Sequence, residues 1–566
     1  MTESSPPIPD PYDVPAPWWR RHADWVWAVA VGGLTAALTV MMFPPLNAPE
    51  LAYGFAVPAI YWAYRRPPFR LYAGTLLAAQ VVAWTILLWW LRHVTWVGLF
   101  LLGPFVGALV GSWYLAVWWT MRRLVGRPPA LRIAGLLGLA GVWVLLEWLR
   151  TWFLGGFPWL PLAASQWQRT ALLQIASFTG AYGISFILIF FNLGFATSGW
   201  RMLTSNERGL FRRSPEFSFA LFVLAAGTML PMAGAFNRGR FERRLAAVSF
   251  VQPYIPQEVK WDPARGPAIL RTLEEATQVA AAAGPDFILW PEATTPWAVR
   301  GDPRTRAWIE GLAATAKVPL VLGSIAIEHP GRPDEKWYNG LFVVTPDLGE
   351  QTAWYAKRHL VPFGEYIPLR FLLGWLSKVV PIGGDFTPGD SAAPLLVPVR
   401  HESLAAGPLI CFEDIFPALA RADARDGADF LVVATNSAWY GEGGAAYQHA
   451  AHSVLRAVET RRPVLRCGNS GWSGWIDEFG VIRGVLTDAE GSIYTRGVKT
   501  LAVRRDARWI GRQSFYVEHG DWFVVLCAGL VGLGWLGVGF GGPRPLHVRP
   551  GGEGALGRYP LQRPEA

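Results

Sequence analysis

The strongest constraint on this chain is a succession of apolar runs, at roughly residues 24–43, 50–64, 70–91, 95–121, 132–149, 171–198, 216–235 and 521–541. A helix needs about 20 apolar residues to cross the hydrocarbon core of a bilayer, and most of these runs reach that length. The second is short, closed off by Pro45 on one side and Arg65 on the other. Composition agrees: 52% of residues are hydrophobic and only 16% charged, and mean hydropathy is +0.24, too apolar for an ordinary soluble protein. The 31 Trp and 31 Phe also suit a bilayer, because aromatic side chains favour the headgroup boundary. A net charge of +9 raises nucleic acid as a partner. No Lys/Arg face with interleaved aromatics occurs in the soluble part, so no nucleic-acid partner is expected.

The basic residues sit instead in short loops, where they set orientation. With eight crossings, one side receives thirteen arginines: Arg20, Arg21, Arg65, Arg66, Arg70, Arg122, Arg123, Arg127, Arg132, Arg201, Arg208, Arg212 and Arg213. The short loops of the other side hold three, Arg92, Arg150 and Arg169. This asymmetry predicts that both termini are cytoplasmic and that the segment between runs seven and eight is extracytoplasmic. Arg238, Arg240, Arg243 and Arg244 run against the count, but long translocated domains are largely exempt from it. The first run follows a long, acid-containing leader and has no small-residue cleavage site, so it is expected to remain as a span.

Residues 240–515 have a different texture. Short β-like runs recur at Ala246–Gln252, Phe287–Trp290, Val318–Ile327, Leu341–Thr345, Pro408–Phe412, Phe430–Thr435 and Pro463–Arg466. Between them, 267–283 places Ile269, Leu270, Leu273, Ala276, Val279 and Ala280 on one helical face, and Tyr447–Glu459 also reads as a helix. Strands mixed with helices predict an α/β layered domain. The expected organisation is a disordered tail at 1–19, seven spans over 20–239, the layered domain over 240–515, an eighth span over 516–541 and a tail at 542–566.

Three cysteines, Cys411, Cys467 and Cys527, are too few for a disulfide framework and lack metal-ligand spacing. Cys527 lies in the last apolar run and Cys467 in a strand-like run, so both read as small buried hydrophobes. Cys411 differs, because it closes an apolar strand and is followed at once by acids, in Ile410-Cys411-Phe412-Glu413-Asp414. Two other segments deliver ionisable groups in similar contexts. Leu289-Trp290-Pro291 ends a strand before Glu292, and Lys357 precedes an apolar turn and Glu365. A lysine beside a thiol favours the thiolate and can stabilise an oxyanion. A glutamate can take the thiol proton. The trio is therefore a candidate thiol acyl-transfer site.

The segments WPE at 290–292, KRHLVPFGEYIP at 357–368, CFED at 411–414, NSAWYG at 436–441 and QH at 448–449 resemble the nitrilase (carbon–nitrogen hydrolase) superfamily. More narrowly they resemble its membrane branch, the apolipoprotein N-acyltransferases, together with EWLR at 147–150, GFPW at 156–159 and VQPYIPQEVKW at 251–261. The resemblance implies an eight-span helical membrane bundle carrying an extracytoplasmic αββα sandwich, in a bacterial inner membrane. It implies that Glu292 is the general base, Lys357 the transition-state lysine and Cys411 the nucleophile. Glu365 is expected to position the lysine and the incoming amine, and Glu413 and Trp261 to lie near the site. The family often has Tyr after the nucleophile, where this chain has Phe412, whose backbone N–H remains available to an oxyanion.

The implied reaction is ping-pong. Cys411 takes an acyl chain from a phospholipid, typically phosphatidylethanolamine, and passes it from a thioester to the α-amine of diacylglyceryl-cysteine in an apolipoprotein. No cofactor is implied, and a monomer is expected. A membrane-tethered amidase acting on a small substrate uses the same trio but has no need of eight spans. A catalytically dead lipid-binding scaffold is disfavoured by the intact trio. His449 and His452 stand three apart on a helix, but no third ligand has suitable spacing. Metal binding is therefore not expected, and His449 is expected to make structural hydrogen bonds near the loop at 436–441. Glu147 in the fifth run is an expensive charge, to be read either functionally or as an ion pair with Arg150. The apolar segment 369–380, with Trp375 and Leu376, is expected to be either a core helix or an interfacial arm.

Overall fold

The computed structural model describes residues 23–204, 214–234, 238–367, 370, 385–400 and 402–539. The tails expected at 1–19 and 542–566 and, apart from Arg370, the apolar segment 369–380 lie outside the described residues. The amino-terminal part is helical: α1 (Ala23–Met41), α2 (Val57–Tyr64), α3 (Phe69–Leu87), α4 (Trp96–Gly111), α5 (Trp113–Leu124), α6 (Pro129–Leu149), α7 (Ala181–Thr204) and α8 (Pro215–Ala233). Counting α4 and α5 as one nearly continuous rod and adding the carboxy-terminal helix Trp522–Gly539, seven helices are long and apolar enough to cross a membrane among the described residues.

The second apolar run falls short of that test for a visible reason. It forms a 3-10 turn at Pro49–Tyr53 followed by the eight-residue α2, and a 3-10 turn rises about 2.0 Å per residue against 1.5 Å in an α-helix. The break exposes main-chain polar groups that lipid cannot satisfy. Asn192 of α7 satisfies them, its Oδ1 accepting from Ala56 N at 3.0 Å and its Nδ2 donating to Ala52 O at 2.8 Å. Ala52, Phe55, Ala56, Ala59 and Ile60 are all fully buried, so this broken segment is packed within the bundle.

Among the described residues thirteen strands follow: β1 (Glu242–Gln252), β2 (Phe287–Leu289), β3 (Leu320–Glu328), β4 (Lys336–Thr345), β5 (Gly349–Glu350), β6 (Tyr355–Ala356), β7 (Leu395–Val399), β8 (Glu402–Ile410), β9 (Phe430–Thr435), β10 (Val464–Gly468), β11 (Gly474–Ile476), β12 (Ile482–Val485) and β13 (Gly497–Asp506). One sheet has the order β13-β1-β2-β3-β4-β5, with β6 also on β4, and the other β12-β11-β10-β9-β8-β7. The inner faces meet in a dry layer that includes Val248, Phe250, Leu289, Val321 and Val343 from the first sheet. Val397, Ala406, Val432, Ala434 and Cys467 face them from the second. The outer face of the first sheet is covered by α9 (Gly266–Ala282) and α10 (Pro303–Ala316) through Leu273, Ile309 and Leu312. Asp302 caps α10, accepting from Arg304 N and Thr305 N, and Pro303 starts it, as helix N-termini favour.

The outer face of the second sheet carries α11 (Pro417–Arg425) and α12 (Ala445–Thr460), completing the αββα layers that the resemblance implied. The last helix, α13 (Trp522–Gly539), returns to the bundle against α6. There a side chain on Gly141 would meet Cys527 O at 2.8 Å, so small residues permit the close approach. The core of the bundle is continuous with α12, because Val454, Leu455 and Val458 belong to the same buried cluster as Ile184, Leu188 and Trp159. Polar ties reinforce the junction. Gln448 donates to Pro44 O at 2.9 Å and Leu87 O at 3.2 Å, and Arg461 donates to Gln174 Oε1 at 2.7 Å. The ends of the first and third runs and the start of the sixth thus all face the sandwich.

Candidate active site

The site is built at the carboxyl ends of strands. Just past β2 the chain keeps to β3, with Trp290 N donating to Val321 O at 2.9 Å and Gly323 N donating to Pro291 O at 3.1 Å. It then turns at Glu292. Gly323 is required there, because a Cβ would sit 2.4 Å from Pro291 O and 2.7 Å from the Glu292 Cα. β6 delivers Lys357, whose N–H donates to Asn339 O at 2.8 Å. β8 delivers Cys411, which leaves the strand with φ of +51° and opens a 3-10 turn, Cys411–Ile415. The expected strand at Pro408–Phe412 therefore stops at Ile410, and a left-handed residue without glycine's freedom marks a conformation the surroundings must hold.

Glu413 does much of that holding. Its carboxylate is fully buried and accepts from Ile410 N at 2.7 Å, Arg358 N at 2.7 Å, His359 N at 3.0 Å and the Tyr355 hydroxyl at 2.7 and 2.8 Å. It thereby staples the segment that carries Lys357 to the turn that carries Cys411. Below the turn, His449 Nε2 contacts Asp414 Oδ1 at 2.7 Å and Cys411 O at 3.1 Å, while Asp414 Oδ2 accepts from Ser453 at 2.6 Å and Arg466 at 2.6 Å. His449 thus makes structural hydrogen bonds to the nucleophile turn, and its ring packs against Tyr440 of the loop at 436–441. His452 accepts from Leu160 N at 3.2 Å, and among the described residues no group of His, Cys, Asp and Glu could hold a metal ion.

Glu292, Lys357 and Cys411 come together as expected, at 7%, 1% and 6% exposure, which puts their charges in a medium of low dielectric. Lys357 Nζ donates to Glu365 Oε1 at 2.9 Å and lies 3.5 Å from Glu292 Oε1. Burial pulls the ammonium down, but the Glu365 and Glu292 carboxylates outweigh it and hold Lys357 above its ordinary value. Burial likewise pushes the Glu292 carboxyl up, and Lys357, together with Cys411, Lys260 and Asn339, outweighs that and keeps it below the usual range. The thiol behaves differently from the sequence expectation. Burial first and the Glu292 charge second push Cys411 up to about 12, against the pull of Lys357. The resting sulfur is a thiol, so its proton must leave as the sulfur attacks.

Two further residues belong to the site. Asn339 Nδ2 bridges the carboxylates, donating to Glu292 Oε1 at 2.8 Å and Glu365 Oε1 at 3.0 Å. Lys260 is 1% exposed and donates to Glu292 O at 3.2 Å. Burial lowers it to about 8, opposed by the charges of Glu292 and Cys411. Trp261, by contrast, is 49% exposed and touches the site only through Lys260, whose Nζ lies 5.6 Å from its ring. Trp261 thus lies beside the site, next to Lys260. In the bundle, Glu147 accepts from Trp143 Nε1 at 2.8 Å and Leu162 N at 2.7 Å, and Arg150 donates to Trp159 O. Both therefore pin the loop that leads to the site.

Aromatic rings form the seam between sandwich and bundle. Phe412 stacks on Phe157 at 6.2 Å and meets Phe416 at 5.1 Å, and Tyr440 packs edge-on against Trp90 at 4.5 Å. The nucleophile turn thus faces an apolar collar contributed partly by membrane helices, a setting suited to acyl chains.

Residues 35–194 match the family model of the apolipoprotein N-acyltransferase N-terminal domain, and 246–515 match that of carbon-nitrogen hydrolases. An apolipoprotein N-acyltransferase of Geobacter metallireducens is 34% identical over 507 residues, covering 87% of this chain and 92% of that protein. One of Brucella melitensis is 32% identical over 541 residues, covering 91% and 96%. Among solved structures, an amidase from Nesterenkonia sp. is 18% identical, with a TM-score of 0.33 over 47% of this chain and 92% of that one. With identity sustained across bundle and sandwich alike, this chain belongs to the apolipoprotein N-acyltransferase family.

Proposed function

We propose that Cys411 carries a fatty acyl group as a thioester between a phospholipid, with phosphatidylethanolamine as the usual donor, and the N-terminal amine of a diacylglyceryl apolipoprotein. The observation that supports this most is the buried contact of Glu292, Lys357 and Cys411 beside a collar of bundle aromatics. Glu292 Oε2 is buried with no hydrogen-bond partner, and its ionised form is favoured, so it is placed to accept a proton. As Sγ attacks the ester carbonyl, the thiol proton passes to Glu292. Lys357 faces the oxygen that gains negative charge, joined by the N–H of Phe412 at the open first turn of its 3-10 segment. Collapse breaks the ester C–O bond, and Glu292 returns the proton to the departing lysophospholipid oxygen.

In the second half the neutral α-amine attacks the thioester, Glu292 takes the amine proton, and the C–S bond breaks to release an amide and regenerate the thiol. Glu365 and Asn339 hold Lys357 and Glu292 in register for both halves. Residues 240–515 act as the catalytic domain, on the extracytoplasmic face, with both termini cytoplasmic and the protein a monomer. The arginine asymmetry supports that orientation, as does the clustering of Pro44, Leu87 and Trp159 against the sandwich.

The test is to supply purified protein with phosphatidylethanolamine and a diacylglyceryl-cysteine peptide. N-acylated peptide is expected with the native chain and none with Cys411→Ala. Release of ammonia from small amides without peptide acylation would instead favour the tethered amidase.

A further inference from the structure

Two hydroxyls face the Cys411 sulfur without a part in the mechanism above. Thr435 ends β9, fully buried, and its Oγ1 donates to Sγ at 3.3 Å. Tyr440 ends the 3-10 turn Ser437–Tyr440, and its Oη lies 3.9 Å from Sγ. Both are held by structure on their far sides. Asn436, between them in sequence, caps that turn by accepting from Ala438 N at 3.3 Å and donates to Gln257 Oε1 at 2.8 Å. The Tyr440 ring is boxed by Trp90 at 4.5 Å, Trp159 at 6.3 Å and His449 at 6.2 Å.

The sulfur needs donors. Negative charge on it is opposed by burial and by the carboxylate of Glu292, and residue 412, a phenylalanine, has no hydroxyl to offer. The charged groups facing Sγ are Glu292 after β2, Lys357 after β6 and Lys260 from the turn Gln257–Lys260, with Asp414 and His449 beneath the turn. Lys357 is committed to Glu365, and Lys260 to Glu292 O. Burial, together with the charges of Cys411 and Glu292, keeps Tyr440 protonated far above neutrality, so it stays a donor.

We propose that Thr435 and Tyr440 are catalytic residues forming a two-hydroxyl cradle for the Cys411 sulfur, donating to it whenever it bears negative charge. That charge arises on Sγ as it loses its proton to Glu292 and attacks the lipid ester. It arises again when the amine expels Sγ from the thioester and the electron pair of the C–S bond returns to sulfur. Hydrogen bonds to an ionised acceptor are about twice as strong as neutral ones, so the cradle acts on these charged species more than on the resting thiol. Trp90 and Trp159 come from the membrane bundle, so the bundle sets the position of one of the two donors. This inference rests on Cys411 being the nucleophile.

The experiment compares the full-length protein with Tyr440→Phe, Thr435→Val and Thr435→Ser in detergent. Two readouts are taken: the rate of acyl-enzyme formation from labelled phosphatidylethanolamine, and the pH profile of iodoacetamide alkylation at Cys411. Cys411→Ala supplies the blank for Cys467 and Cys527. Tyr440→Phe and Thr435→Val are each expected to slow acylation about tenfold, matching one lost hydrogen bond, and to move the alkylation profile to higher pH. Thr435→Ser restores both. Unchanged rates and profiles in Tyr440→Phe, which keeps the ring and its contacts, overturn the cradle even where Thr435→Val fails to fold. Absence of any acyl-enzyme in the native chain overturns the underlying reading of Cys411 instead.

Discussion

The staple formed by Glu413 gives the sharpest mechanical prediction. In Glu413→Gln the shape is kept, but one oxygen becomes an NH2. The carboxylate accepts three main-chain N–H groups, Arg358 and His359 on Oε1 and Ile410 on Oε2. A glutamine that keeps its oxygen towards Arg358 and His359 must turn its NH2 on Ile410 N–H, donor against donor. The opposite orientation loses two bonds. The smaller loss is one charge-assisted hydrogen bond, about 1.5–3 kcal/mol, and one unpaired buried N–H, about 1–3 kcal/mol. Burial raises the Glu413 carboxyl, yet partners that are all donors require the ionised form, so the substitution removes a charge that the network uses.

The loss falls on the joint between Lys357 and Cys411, where about 2.7 kcal/mol in the transition state is a hundredfold in rate. Single-turnover acylation by labelled phosphatidylethanolamine is expected to slow about a hundredfold in Glu413→Gln, with lipid binding nearly unchanged. Thermal unfolding followed by tryptophan fluorescence should begin at a lower temperature. A glutamine variant that acylates within threefold of native and unfolds at the native temperature refutes the staple.

Other consequences follow from the same geometry. Asn339→Asp places a third carboxylate between Glu292 and Glu365, so acylation should fall by about two orders of magnitude, whereas an ordinary rate denies that Asn339 holds the pair. Glu292 and Asp414 are carboxylates held below their ordinary range, the latter because His449 and Arg466 outweigh its burial. The stability they contribute is therefore complete above about pH 5, a unit beyond the ordinary carboxylate values. It is lost as pH falls through their lowered values, so acid unfolding of Asp414→Asn should lose part of that slope. Lys260, lowered to about 8, should give acylation an alkaline limb near that pH as its positive charge disappears, and Lys260→Met should abolish the limb while acylating more slowly below it. Asn192→Leu strips the partners from Ala52 O and Ala56 N, at about 1–3 kcal/mol each. The folded yield should drop sharply, while an unaltered yield and melting profile would show that the broken segment needs no such support.

What the sequence disclosed and what it hid divide along physical lines. Glu292, Lys357 and Cys411 were legible because each closes a short apolar strand, and a strand end fixes a side chain at a sheet edge whatever the distant packing does. Glu413 was visible as an acid after the nucleophile, but its use as a staple depends on Arg358 and His359, more than fifty residues away. Asn339 sits inside β4, where alternation alone does not tell a site-facing amide from any other buried one. Lys260 drew no reading of its own, because its burial depends on a turn tied through Gln257 to Asn436, far along the chain. The short second run was read as doubtful from its length. Its resolution required Asn192, 136 residues away from Ala56. Strands β12 and β13 went unread because partly exposed positions blur the apolar pattern that marks a strand, and β11 because its three residues are too few to show one.

The central claim is that one sulfur carries the acyl chain between two lipids. The most direct measurement is intact and peptide mass analysis of the full-length protein after mixing with phosphatidylethanolamine alone, followed by a chase with diacylglyceryl-cysteine peptide. The account predicts one added acyl mass, located on the peptide containing Cys411 and removable by neutral hydroxylamine. The chase should discharge it with a matching amount of N-acylated peptide. Peptide acylation that proceeds with no acyl group ever found on Cys411, or that survives in Cys411→Ala, contradicts it.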